Sequence, residues 1–131
     1  MSNWTHVAAI IRVDYIKDED TPKLNFDELI GKECLFDSDS ETWDDASNNP
    51  DKYLPMGSEG SLVKSVWINP KEDYITRYTV SIFGDLRDHD NPQEIIDWFK
   101  KICDKLSPVR NAVITASNEL YGVLTWNWEE S

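Results

Sequence analysis

The sequence is short of positive charge, cysteine and glycine, and it has no long apolar run. Lysine and arginine number 13 against 25 aspartates and glutamates, a formal net charge of -12. A surface of that sign repels nucleic-acid phosphates and anionic membranes, so direct contact with DNA, RNA or lipid headgroups is not expected. The two cysteines, Cys34 in ECLF and Cys103 in KKICDKL, suit buried thiols of a cytosolic protein, and no CxxC pair serves zinc or redox chemistry. Glycine occurs five times, and the GSEGS stretch lacks the following lysine of a phosphate loop. No apolar run approaches a membrane span. The opening MSNWTHVAAIIRVD has neither the basic start nor the small-residue cleavage site of a signal peptide, so a cytoplasmic location is expected.

What is present suffices for one core. With 131 residues, 40% of them hydrophobic and 11% aromatic, the chain reads as a single domain over 1–131, with an irregular acidic insertion at about 36–60. From Trp4 to Ile16 the residues alternate, Val7, Ala9, Ile11, Val13 and Tyr15 on one side and His6, Ala8, Ile10, Arg12 and Asp14 on the other. That pattern predicts a strand with one apolar and one mixed face. Asn25 ahead of FDELIGKECLF predicts a short helix ended near Gly31. SLVKSVWIN and the run from Tyr74 to about Leu86 predict a hairpin turned by NPKED. Asn91, Pro92 and Glu94 form a helix start, followed by an apolar stripe of Ile95, Phe99, Ile102 and Leu106 that runs to Ser107 and Pro108. VRNAVITAS and YGVLTWNW predict a last hairpin. The order implies an α+β fold: a ferredoxin-like antiparallel sheet with two helices on one face and an extra C-terminal strand.

The acidic stretch CLFDSDSETWDDASNNPD invites a calcium reading, which fails because its sixth position is Thr42 and its twelfth Asn48. A docking surface is the remaining functional reading. Asp37, Asp39, Glu41, Asp44 and Asp45 would supply charge to steer a basic partner, and Trp43 the desolvated contact area. Plain solubility, with Trp43 folded onto the core, is the competing one. In GDLRDHDNPQE, Asp85, Asp88, His89, Asp90 and Glu94 have the composition of a metal or acid–base site, but carboxylates at a helix start also answer its free amides. No glycine-flanked serine supports nucleophilic catalysis. The chain is therefore expected to be no enzyme and to need no cofactor, a metal-dependent hydrolase on Asp85, Asp88 and His89 being the minority reading. Exposed tryptophans would imply a partner or a homodimer.

The segments MSNWTHVAAIIRVD, GSEGSLVKSVWINP and TVSIFGDLRD resemble small acidic single-domain proteins of unassigned function encoded by phages and prophages. Among these, small acidic domains are similar in style to anti-CRISPR and other anti-defence inhibitors. The resemblance implies an inhibitor that binds a basic surface of a host defence protein, by nucleic-acid mimicry. The alternatives are a protein that sequesters a nucleotide signal or other small ligand with Arg12, Arg77, Arg87 or Arg110, and a virion or assembly component.

Overall fold

The computed structural model describes residues 2–16, 25–33, 46, 48–68, 75–89, 91–106 and 109–128. Five strands are placed: β1 (Trp4–Ile16), β2 (Val63–Ile68), β3 (Ile75–Arg87), β4 (Val109–Asn118) and β5 (Gly122–Asn127). Among the described residues two bounded helices accompany them, α1 (Phe26–Leu29) and α2 (Pro92–Lys105). The strands form one sheet in the order β2-β3-β1-β4-β5, and every neighbouring pair is antiparallel. The protein is thus α+β. The alternation read in β1 is the alternation observed: Val7, Ala9, Ile11 and Val13 are buried, while His6, Ala8 and Ile10 are exposed.

One core lies on the β1 side that carries Val7 and Ile11, against Val80, Ile82 and Leu86 of β3 and Ala112, Ile114 and Ala116 of β4. α2 seals it with Ile95, Ile96, Phe99, Ile102 and Cys103. Its start is built as the sequence implies: the Asn91 side chain accepts from the Gln93 amide at 3.1 Å, and Pro92 occupies the first turn, where no amide partner is lost. On β5 and just past its end, Leu124, Trp126 and Trp128 pack on the same core, with Trp126 edge-on to Phe99 at 5.9 Å between ring centroids.

α1 is a single turn. Asn25 caps it by accepting from the Glu28 amide at 3.3 Å, and Phe26 and Leu29 join the core. Gly31 ends it at φ 130, in the region that disfavours a side chain, and a Cβ there would stand 2.8 Å from the Leu54 amide nitrogen. That close approach lets Lys32 bridge to Tyr53. The described part of the expected irregular insertion holds more order than its composition suggests: a 3-10 turn at Pro50–Lys52, and buried Ala46, Tyr53 and Leu54.

Lys64 of β2 also points to the helix side, where a lysine is out of place on the alternation alone. Its ammonium is paired with Asp27 and donates to the Gly31 carbonyl at 2.9 Å, while Glu33 accepts from the Lys64 amide at 2.9 Å. The ammonium is therefore largely covered, its partner Asp27 stays exposed, and the pair ties α1 to the edge strand.

Candidate functional site: the uncovered sheet face

The two sides of the sheet differ sharply in cover. Both helices pack on one side, so the residues of opposite parity form an open face. Ile10, Phe83 and Trp67 are 49%, 49% and 53% exposed, and Val113 is 40% exposed. The strand register arranges them in rows. Val63, Phe83, Ala8, Thr115 and Thr125 lie side by side across the five strands, followed by Ser65, Ser81, Ile10, Val113 and Asn127. The next row holds Trp67, Thr79, Arg12 and Asn111. A shallow apolar depression of about 350 Å³ is lined by Ala8, Ile10, Ser81, Phe83, Val113 and Thr115.

Charge gathers at the two ends of this face. At one end Arg12 Nε donates to Asp14 at 2.9 Å and Arg110 donates to the other carboxylate oxygen at 3.1 Å. Burial alone would raise the Asp14 pKa, but the hydrogen bonds and positive charges of Arg12 and Arg110 outweigh it and hold the carboxyl below its ordinary 3.8. Arg77 lies opposite Asp14 in the register and has no ion pair among the described residues. At the other end His6 Nδ1 donates to Asp85 at 2.7 Å, both side chains half exposed.

The constellation Asp85, Asp88, His89 and Glu94 does not converge. Asp85 belongs to the open face with His6. Asp88, in a left-handed conformation at φ 58, accepts from the Asn3 amide at 3.4 Å and from the Ser58 hydroxyl at 3.0 Å. His89 Nε2 stands 3.9 Å from Glu94. Among the described residues no group of three His, Cys, Asp or Glu side chains is placed to hold a metal ion; Asp90 lies outside them.

His89 instead contributes its backbone to a latch. Its carbonyl accepts from the fully buried Thr5 hydroxyl at 2.8 Å, and Asn118 Nδ2 donates to Thr5 at 2.9 Å. Asn118 Oδ1 accepts from the Leu120 and Tyr121 amides at 2.8 and 2.9 Å, fixing the β4–β5 turn. The four arginines considered for an anionic ligand do not meet either. Arg12, Arg77 and Arg110 share one end, whereas Arg87 is ten residues along β3, roughly 33 Å away at the rise of a strand, and pairs with Glu59.

The docking residues Asp37, Asp39, Glu41, Trp43, Asp44 and Asp45 lie outside the described residues, as does Cys34. The described residues break off at Glu33 and resume at Ala46. Close by, a cleft of about 560 Å³ runs between α2 and the Pro50–Tyr53 stretch, with Ile30, Trp98 and Ile102 among its walls and Glu94, Asp97, Lys101 and Lys105 also lining it. Cys103 is buried, and desolvation, helped by Asp104, pushes its thiol up to about 12. A thiol held protonated is a core group and no nucleophile. Among the described residues no helix is long and apolar enough to cross a membrane.

Trp67 is 53% exposed on the open sheet face, on the side of β2 that it shares with Ser65 and Val63. No protein-family model matches this chain, and no curated protein and no solved structure matches it.

Proposed function

We infer that the chain is a non-enzymatic inhibitor of the phage anti-defence kind, which binds a basic surface of a host protein in the host cytoplasm. The observation that carries this reading is the distribution of charge. The described residues hold 12 acids and 10 bases, so the remaining segments hold 13 acids and only 3 bases. An acidic excess gathered in these stretches of sequence suits electrostatic capture of a basic surface, in which opposite fields speed association. The segment with Asp37, Asp39, Glu41, Asp44 and Asp45 carries no base, and Trp43 at its centre supplies the anchor. The finer topology belongs to the same reading: β1 and β2 run parallel with β3 between them, β3 and β4 run parallel with β1 between them, and β5 is added at the edge. That arrangement supports the reading of a split βαβ order, as in a ferredoxin-like domain.

The test is a pull-down from host lysate with the natural chain and with a variant carrying serine at Asp39, Glu41, Trp43, Asp44 and Asp45. The natural chain captures a host protein, and the variant does so more slowly and with a flatter salt dependence. Equal capture and an equal salt slope would move the interface out of this segment.

A second reading, a protein that sequesters a small anion such as a nucleotide, draws on the meeting of Arg12, Arg77 and Arg110. Its obstacle is that Asp14 already occupies two of the three guanidiniums. Absorbance near 260 nm that co-purifies with the chain and disappears in Arg77→Ala would favour it.

A further inference from the structure

The open sheet face has a property that its exposure alone does not convey: its chemistry is self-complementary about its own midpoint. On β1 the midpoint is Ile10, with His6 four residues to one side and Asp14 four residues to the other. On β3 the residue beside Ile10 is Ser81, with Arg77 and Asp85 four residues away on either side. A two-fold axis between two such faces, crossing the strands at the Ser65, Ser81, Ile10 and Val113 row, reverses strand direction and keeps β2, β3, β1 and β4 over their own copies, whereas β5, which reaches this row only at Asn127, lies to one side of the axis. Ile10 then meets the partner's Ile10, and Val113 meets the partner's Val113. Arg77 faces the partner's Asp85, and Asp14 faces the partner's His6. Trp67 on β2 lies over the partner's Val63. The Arg77 and Asp14 row meets an opposite charge and a titratable group, Arg12 lies over the partner's Ala8, and the apolar centre meets itself.

We propose that this face is the interface of a homodimer, closed by sheet-on-sheet packing of Ile10, Phe83, Val113 and Trp67 and oriented by Arg77 and Asp85. An isologous contact requires this kind of inverted repetition, because each residue pair must occur twice across the axis. Face-to-face sheets keep their strands within about 30° of one another, so the register survives the packing. Arg77, which has no ion pair among the described residues, gains one. Size fits a weak contact. The four strands that overlap, about 4.8 Å apart, and eight residues at about 3.4 Å each span roughly 14 by 27 Å. In projection that is roughly 400 Å² on each copy and on the order of 800 Å² for the pair, the size of a weak, concentration-dependent interface. On the face itself Arg12 and Arg77 balance Asp14 and Asp85, so the faces do not repel one another at contact.

Sedimentation equilibrium of the full chain across the micromolar range tests the proposal. The natural chain forms dimers with a micromolar dissociation constant. Ile10→Asp and Phe83→Asp, at exposed positions that leave the far-ultraviolet circular dichroism unchanged, weaken the dimer at least about tenfold by burying an unpaired carboxylate. Arg77→Asp and Asp85→Arg each weaken it, and the double variant regains most of the loss because the exchanged charges face each other again. Asp85→Arg breaks the His6 contact in the single and the double variant alike, so the recovery reports only the Arg77 pairing. A chain that stays monomeric throughout, including one that captures a different protein on this face, overturns the proposal. So does a dimer indifferent to Ile10→Asp and Phe83→Asp, or a double variant no tighter than the two single changes combined.

Discussion

Asn118 shows how much one side chain can hold. Its amide group donates to Thr5 and its carbonyl accepts from two amides of the β4–β5 turn, so a buried hydroxyl and a tight turn depend on the same residue. Asn118→Ala should destabilise the fold by about 2–3 kcal/mol, since it leaves polar groups without partners in a closed site; urea unfolding monitored by tryptophan fluorescence measures it. Asp14 makes a second, pH-dependent case. Its carboxyl titrates below 3.8 in the folded chain, so its contribution is fully present above the unfolded value and is lost as pH falls through the folded one. Asp14→Asn should therefore flatten the acid limb of the stability curve below about pH 4, while the natural chain loses stability there. An unchanged acid limb would show that the two arginines do not stabilise the carboxylate.

At the scale of elements, the short α1 depends on its ending more than on its length. A turn of four residues has too few internal hydrogen bonds to persist alone, and what keeps it is Gly31, whose backbone lets Lys32 reach Tyr53. Gly31→Ala forces a Cβ against the Leu54 amide and should cost about 1–3 kcal/mol, read as a lower thermal midpoint with the sheet intact. These elements were legible because local chemistry announces them: the Asn91 and Pro92 cap, the Gly31 stop, the two-residue period of β1. The apolar Val63, Val66, Trp67 and Ile68 fall on both sides of β2, so periodicity leaves its covered side undecided. The presence of Lys64 beneath α1 depends on Asp27, 37 residues away, and no local pattern encodes that. That Arg77 lies beside Asp14 and that His6 meets Asp85 needed the inter-strand register for the same reason. The docking residues read from the acidic stretch lie outside the described residues, and the strongest surface within them belongs to alternating positions that look unremarkable one strand at a time.

For the whole molecule, the formal charge of -12 and the apolar open face work against each other. Two copies approaching one another repel over distances set by the ionic strength, about 8 Å at physiological salt, while the face gains from burial at contact. The homodimer should accordingly tighten when salt rises from low to physiological levels, whereas capture of a basic host surface should weaken over the same range. Sedimentation and binding measurements at matched salt separate the two associations by the sign of the change. Opposite signs fit both proposals, and a dimer that loosens with salt would assign its stability to the terminal charge pairs and not to the apolar centre.

The strand order has a mechanical consequence. β1 and β5 run parallel with only β4 between them, and the chain enters at the start of β1 and leaves at the end of β5. A stretching force applied at Asn3 and Trp128 therefore runs along the strands in opposite directions and loads the β1–β4 and β4–β5 ladders in shear. Hydrogen bonds perpendicular to the strands then carry the load together, whereas a hairpin peeled from one end releases them singly. The fold is arranged to resist being pulled apart by its ends more strongly than being opened from an edge.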